Sequence, residues 1–238
     1  MHYNRNKYFL GFLIPFVSIF IFSSCSVLKK YDEKSRKWAY PEIEAFERQD
    51  TIVDYPNDAI LFIGSSSIRL WKTLTREMHP YPIIQRGYGG AHFRDMVFFT
   101  DRILSDHQLS MVVCFVANDI SGSKDDGTPK EVFRLFKYFI KQLRAKYPKI
   151  PIMQIAITPT QSRWEYWTKI SSVNNLIKNY CEVNDNLYFI DTVDEFLNEN
   201  QQPRSELFIS DQLHLNKKGY EVWSKIIRSE IKKLKIIR

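Results

Sequence analysis

Asp211 and His214 stand three residues apart in SDQLHLN, just before a helical stretch near the C-terminus. At that spacing a carboxylate can reach the imidazole Nδ1–H within one loop. Such a contact fixes the tautomer and leaves Nε2 free to accept a proton from a hydroxyl. A hydroxyl for it to serve exists in GSSSIRLW, where Ser65, Ser66 and Ser67 follow an apolar run. Serine there suits a helix N-cap. It also suits a nucleophile at a helix start, where backbone N–H groups and the helix dipole favour developing negative charge. The segment is not the G-x-S-x-G elbow, because Ile68 occupies the last position. In QRGYGGAHF, three of the four residues 87–90 are glycine. That marks a tight loop, or a backbone N–H aimed at an oxyanion. It matches neither G-x-G-x-x-G nor a G-K-[ST] phosphate loop. In VAND, Asn118 and Asp119 break an apolar run, either as a turn or so that the Asn118 amide can donate to an oxyanion. Each signal alone fits a turn or a cap. In this order, together, they supply what acyl transfer to a serine needs: nucleophile, oxyanion donors, base and orienter.

The elements that must carry these residues are legible as a pattern. AILFIG, YPIIQRG, MVVCFVAND, IPIMQIAIT and NLYFIDT are short apolar runs bounded by Gly, Pro, Asn or Asp, and they read as buried strands. Between them lie amphipathic stretches expected to be helices: SIRLWKTLTREM, FRDMVFFTDRILSD, PKEVFRLFKYFIKQLRAKYP, WTKISSVNNLIKNYCEV and NKKGYEVWSKIIRSEIKKL. The third opens with Pro129 and closes before Pro148, as helix start and stop signals should. Strand–helix alternation of this kind predicts an α/β fold, a five-stranded parallel sheet with helices on both faces. In such sheets, sites form beyond the C-terminal ends of the strands. The four segments fall there. A further short helix is expected around 41–49, packed on the domain.

The 238 residues carry a net charge of +7, with basic residues scattered apart from EIKKLKIIR near the end. No nucleic-acid recognition motif accompanies the charge, so no nucleic-acid partner is expected. Cys114 lies in an apolar run and reads as a small buried hydrophobe. Cys114 and Cys181 do not make a disulfide framework, and no Cys/His cluster has zinc spacing. Arg5 and Lys7 precede FLGFLIPFVSIFIF, an uncharged apolar run of 14 residues. A membrane span needs about 20, so the run suits a signal peptide. FSSCS then resembles a bacterial lipobox with Cys25 as the lipidated residue, although Phe22 stands where Leu is usual. The other reading is an uncleaved N-terminal anchor. The expected organisation is a leader over 1–24, a tether with the short helix over 25–57, and one domain over 58–238. That places the domain outside the cytoplasmic membrane, held by an N-terminal lipid. Cleavage would leave a net charge of +5.

LFIGSSSIRLW, QRGYGGA, VAND and DQLHLN, taken in sequence, resemble the four blocks of the SGNH hydrolases, the GDSL-type esterases and lipases. The resemblance covers residues 58–238. It implies a three-layer α/β/α sandwich of flavodoxin-like kind, with Ser66 as nucleophile, His214 as base and then acid, and Asp211 as its orienter. It further implies an oxyanion hole from the Ser66 N–H, the Gly90 N–H and the Asn118 side chain, with no metal or organic cofactor. Three positions depart from the family pattern. Ser65 replaces an Asp. Gln85 replaces an Asn that supports the second block. Val116-Ala117 replaces a Gly-containing pair, so a positive φ there would strain the β-branched Val116. The implied reaction is hydrolysis of an O-acyl ester; the sequence has no long insertion to act as a lipase lid, so a short-chain ester such as acetyl is the expected substrate. Arg163, Trp164, Tyr166 and Trp167 follow the fourth strand. Arg163, Trp164 and Trp167 are candidates for a substrate rim, where aromatic rings would stack on the sugar of a carbohydrate ester. The same rings would equally pack the next helix. The alternatives are an O-acyltransferase on the same residues and a binding lipoprotein with an inactive site.

Overall fold

In the computed structural model, which describes residues 34–234, the five apolar runs form five parallel strands. These are β1 (Ala59–Gly64), β2 (Ile83–Gly87), β3 (Leu109–Phe115), β4 (Ile152–Ile155) and β5 (Leu187–Ile190). Their order in the sheet is β2-β1-β3-β4-β5. Every residue of β1 and β4 is buried. Strands covered on both faces carry no polar alternation, which is why they appear in the sequence as continuous apolar runs. The chain leaves β1 toward one edge of the sheet and returns through β3 toward the other. The crevice where strand order reverses therefore lies between the ends of β1 and β3, where α/β folds place their ligands.

The covering helices are α1 (Tyr40–Asp50), α2 (Ser66–Arg69), α3 (Leu74–Met78), α4 (Phe93–Leu104), α5 (Pro129–Lys146), α6 (Trp167–Glu182) and α7 (Lys217–Lys233). α5 starts at Pro129 behind a capping box in which the Thr128 hydroxyl accepts from the Glu131 amide and the Glu131 carboxylate accepts from the Thr128 amide. The expected leader, Cys25 and the start of the expected tether lie outside the described residues. Among the described residues, no helix is long and apolar enough to cross a membrane.

One expectation needs correction. SIRLWKTLTREM is not one helix but two short ones, α2 and α3, with Trp71 between them. Trp71 is fully buried and stacks on Tyr220 of α7 with ring centroids 5.3 Å apart. Its indole N–H donates to Glu77 at 2.9 Å. The carbonyls of Ile68 and Trp71 accept from the side chain of Gln85 on β2, at 2.6 and 3.2 Å. Burial of a large ring and a polar partner from a neighbouring strand outweigh helix propensity over this stretch. Gln85 is also one of the departures from the family pattern, and its amide makes these supporting bonds.

α1 lies against the domain through buried Ile43 and Phe46. The Arg102 guanidinium forks onto Glu47 at 2.6 and 2.7 Å. Arg86, buried on β2, donates to Gln49 at 3.1 Å and pairs with Asp50. A buried guanidinium left without its carboxylate is strongly destabilising, so this pair ties the N-terminal helix to the sheet. Cys114 and Cys181 are both buried and unpaired. Burial pushes the Cys114 thiol well up and that of Cys181 up to about 12, which makes both structural rather than reactive.

Candidate active site

The end of β1 sets the position of Ser66. Gly64 has φ +149°, and a Cβ there would lie 2.0 Å from the Phe115 carbonyl oxygen. That carbonyl accepts from the Ser65 amide at 2.9 Å. Only glycine permits so close an approach of β1 to β3. The chain then turns away from the sheet and Ser66 opens α2. α2 is a single turn, so its dipole is small compared with that of a full helix start.

His214 arrives on the loop before α7. Phe208 and Leu215 form an antiparallel bridge, and the Ile209 amide donates to the His214 carbonyl at 2.9 Å. Gln212 turns the loop with φ 54°. Asn216 caps α7 by accepting from the Gly219 amide at 3.1 Å, and its Nδ2 donates to the carbonyls of Glu206 and Phe208, each at 2.9 Å. The Tyr220 hydroxyl donates to the Ser67 carbonyl at 2.9 Å, which fastens α7 to the turn bearing Ser66.

In that frame His214 Nε2 is 2.9 Å from Ser66 Oγ across 148 residues of chain. His214 Nδ1 is 2.6 Å from Asp211 Oδ2. The other carboxylate oxygen, Oδ1, accepts from the amides of Leu213 and His214, each at 2.9 Å. Desolvation pushes the Asp211 carboxyl up. The bond to His214 and the two amide donors outweigh it, so its pKa lies below the usual carboxylate value. An ionised carboxylate therefore faces Nδ1, and the ring presents Nε2 to the hydroxyl. This arrangement can take the proton of Ser66 as its oxygen attacks a carbonyl.

Asn118 stands on the loop after β3. Its Nδ2 donates to the Ala91 carbonyl at 2.8 Å, and its Oδ1 accepts from Arg163 Nη2 at 2.7 Å. Next to it, Asp119 Oδ2 accepts from the Phe93 amide at 2.8 Å. Burial raises the Asp119 carboxyl, against the lowering pull of His92 and of that amide. Both bonds join the loop after β3 to the glycine-rich loop after β2. Val116 and Ala117 are not among the residues with positive φ, so the missing glycine leaves no backbone strain there. Gly90 does have positive φ, +73°. It precedes Ala91, whose carbonyl Asn118 holds, and lies outside the cavity described next.

Ser66, Asn118, His214, Phe115, Thr158 and Thr160 line a small cavity. Its volume is about 20 Å³, room for roughly one water-sized body. The hydroxyls of Thr158 and Thr160 are buried with no hydrogen-bond partner among the described residues. The sequence reading missed both threonines, since TPT after an apolar run carries no more than a strand-end signal. It also missed Trp38, read as tether. Trp38 is 47% exposed and its ring lies 3.5 Å from where a Gly90 Cβ would stand.

The three rim candidates separate. Arg163 turns inward, lines the cavity, and donates from Nη1 to the Ala117 carbonyl at 2.7 Å as well as to Asn118. Trp164 and Trp167 stack on each other, 5.7 Å apart and 16° from parallel. Both are partly buried and do not line the cavity.

Residues 64–222 match the family described as the GDSL-like lipase/acylhydrolase family. Among curated proteins none matches the chain. Several solved structures share the fold. A Bacteroides fragilis protein assigned as an acylhydrolase is 20% identical, with TM-score 0.70 over 80% of this chain and 96% of that one. A GDSL-like lipase from Bacteroides thetaiotaomicron is 19% identical, with TM-score 0.68 over 81% and 99%. A carbohydrate esterase family 3 structure from Talaromyces cellulolyticus is 14% identical, with TM-score 0.59 over 76% and 100%.

Proposed function

We propose, on the premise that this chain belongs to the GDSL-like lipase/acylhydrolase family and is a carboxylic ester hydrolase, that it removes short acyl groups, acetyl above all, from carbohydrate esters. Ser66 is the nucleophile. His214 is base and then acid, and Asp211 its orienter. The Ser66 amide and the Asn118 side chain receive the oxyanion; the family pattern assigns the Gly90 amide to it as well, from the loop whose Ala91 carbonyl accepts from Asn118. The observation that carries this reading is the continuous hydrogen-bonded line from Asp211 through His214 to Ser66. The acyl size rests on the cavity beside Ser66, which has room for about one water-sized body. An acetyl methyl fits such a space, whereas most of an octanoyl chain would have to lie outside it. The sugar component rests on aromatic surface near the site. Trp38 stands half exposed beside Gly90, Trp164 lies in the segment that carries Arg163, and Trp167, stacked on it, follows that segment. A carbohydrate esterase also shares the fold.

The test uses protein lacking residues 1–25. Hydrolysis of p-nitrophenyl acetate, butyrate and octanoate should fall along the series, with octanoate at least about tenfold below acetate, since each misfit methylene alters discrimination by roughly 10-fold or more. Acetate should also be released from a peracetylated sugar. Preference for octanoate would remove the acetyl assignment. Turnover of p-nitrophenyl acetate without release from any acetylated sugar would remove the carbohydrate.

The leader and Cys25 supply the location. We read the enzyme as a lipoprotein, held outside the cytoplasmic membrane by a lipid on Cys25. The full chain grown with labelled palmitate should carry the label, and Cys25→Ser should not. A wild-type chain that stays unlabelled ends this part of the reading.

A further inference from the structure

We infer that Arg163 is a positioning residue that aims the amide of Asn118 at the oxyanion, an inference that rests on the esterase reading above. Arg163 comes from the 3-10 turn Gln161–Tyr166 after β4. Its guanidinium reaches two consecutive residues of the neighbouring strand's loop, the Ala117 carbonyl and Asn118 Oδ1, each at 2.7 Å. A planar fork with fixed donors makes this pair of contacts; a lysine ammonium does not reproduce it.

The contacts determine the orientation of the Asn118 amide. A guanidinium only donates and a carbonyl only accepts. Arg163 on one side and the Ala91 carbonyl on the other therefore leave one arrangement, with Oδ1 toward Arg163 and Nδ2 toward Ala91. A flipped amide would set donor against donor and oxygen against oxygen. One Nδ2 hydrogen goes to Ala91. The second has no partner among the described residues, and Asn118 lines the cavity with Ser66. That hydrogen is the one available to an oxyanion.

Charge adds to position. Among the described residues no carboxylate lies within ion-pair distance of Arg163. Burial lowers its pKa from the ordinary value, against the raising pull of Asp126 and Asp119. A guanidinium remains protonated through such a shift. Its positive charge thus stands directly behind the amide carbonyl. In a site of low dielectric, a donor on one end of an amide strengthens the N–H at the other. The segment carrying Arg163 is itself seated on the loop it braces: a Cβ on Gly122, at φ +92°, would meet the Tyr166 ring at 2.5 Å. This brace also supports a loop that has Val116-Ala117 where the family pattern has glycine.

The test is a double-mutant cycle on p-nitrophenyl acetate with wild type, Arg163→Met, Asn118→Ala and the double variant. Arg163→Met should lower kcat about 10- to 100-fold with KM within about threefold, the signature of a misaimed transition-state donor. In the Asn118→Ala background the same change should cost less than about threefold, because no amide is left to aim. Arg163→Lys, which keeps the charge and loses the fork, should recover only part of the loss, and it runs the same cycle if Arg163→Met fails to melt cooperatively. Additive losses across the cycle overturn the inference. So does a rise in KM confined to carboxylate-bearing esters with kcat intact, which would make Arg163 a binder of substrate anions. A wild type whose turnover survives Ser66→Ala sinks the esterase reading first and this inference with it.

Discussion

Ser66→Ala is expected to lower kcat on p-nitrophenyl acetate by about 10⁴-fold or more while the fold stays intact. The size of the effect follows from what Oγ does in the proposed mechanism. It is the atom that forms the bond to the acyl carbon, and among the described residues no hydroxyl other than that of Ser66 is hydrogen bonded to His214. Ser65 and Ser67 do not replace it. Both are buried, and the Ser65 amide is committed to the Phe115 carbonyl. The turn itself needs nothing from Oγ, since Gly64 and that backbone bond shape it. The stability cost is then that of one partly exposed hydrogen bond, about 1 kcal/mol. Three readings check it together: steady-state turnover, labelling by a fluorophosphonate serine probe, and thermal melting. Equal turnover of wild type and variant, with no labelling of either, would rule out Ser66 as the nucleophile and bring the inactive binding lipoprotein to the front.

Asp211→Asn is expected to cost about 10⁴-fold in kcat, by analogy with the same change in serine-protease triads. The reason can be read from the hydrogen bonds. The amides of Leu213 and His214 both donate to one oxygen of Asp211. An asparagine must keep its only oxygen there and turn its NH₂ toward His214 Nδ1. Nδ1 then becomes an acceptor, the ring proton moves to Nε2, and Nε2 points a hydrogen at Ser66 instead of a lone pair. The geometry survives and the base is lost. KM should change little, because Asp211 touches no substrate. A kcat within tenfold of wild type would show that Asp211 does not set the tautomer. The lowered pKa of the wild-type carboxyl has a consequence in acid. A carboxyl whose folded pKa is depressed stabilises the fold above its unfolded pKa, and this support is lost only as pH falls through the lower folded value. The loop holding His214 should therefore outlast mild acidification.

The layers of this molecule were visible in the amino-acid order because each depends on neighbours in the chain. Ala59–Gly64 is apolar throughout because both faces of β1 are covered, and no other burial pattern writes so continuous a run. Pro129 marks a helix start that the structure retains, since proline at the first helical position acts within one turn. Ser66, Asn118, Asp211 and His214 were all singled out by their types and by their positions after apolar runs.

What the chain order left open lies where side chains of distant segments meet. Nothing local to SIRLWKTLTREM reports that Trp71 will be buried against Tyr220, or that Gln85 will take the carbonyls of Ile68 and Trp71, and these contacts break the helix in two. Nothing in SRWEYW says whether Arg163 faces solvent or turns in. Acceptors on Ala117 and Asn118, about 45 residues earlier in the chain, draw it inward. Thr158 and Thr160 carry no signal until the loops after β1, β3 and β4 and the loop before α7 close around one cavity, and Trp38 none until its ring meets Gly90. Period and capping are properties of the few residues around a position. The direction of a loop side chain is settled by partners that only folding brings within 3 Å, and the separation of 148 positions between Ser66 and His214 is spanned by that packing alone.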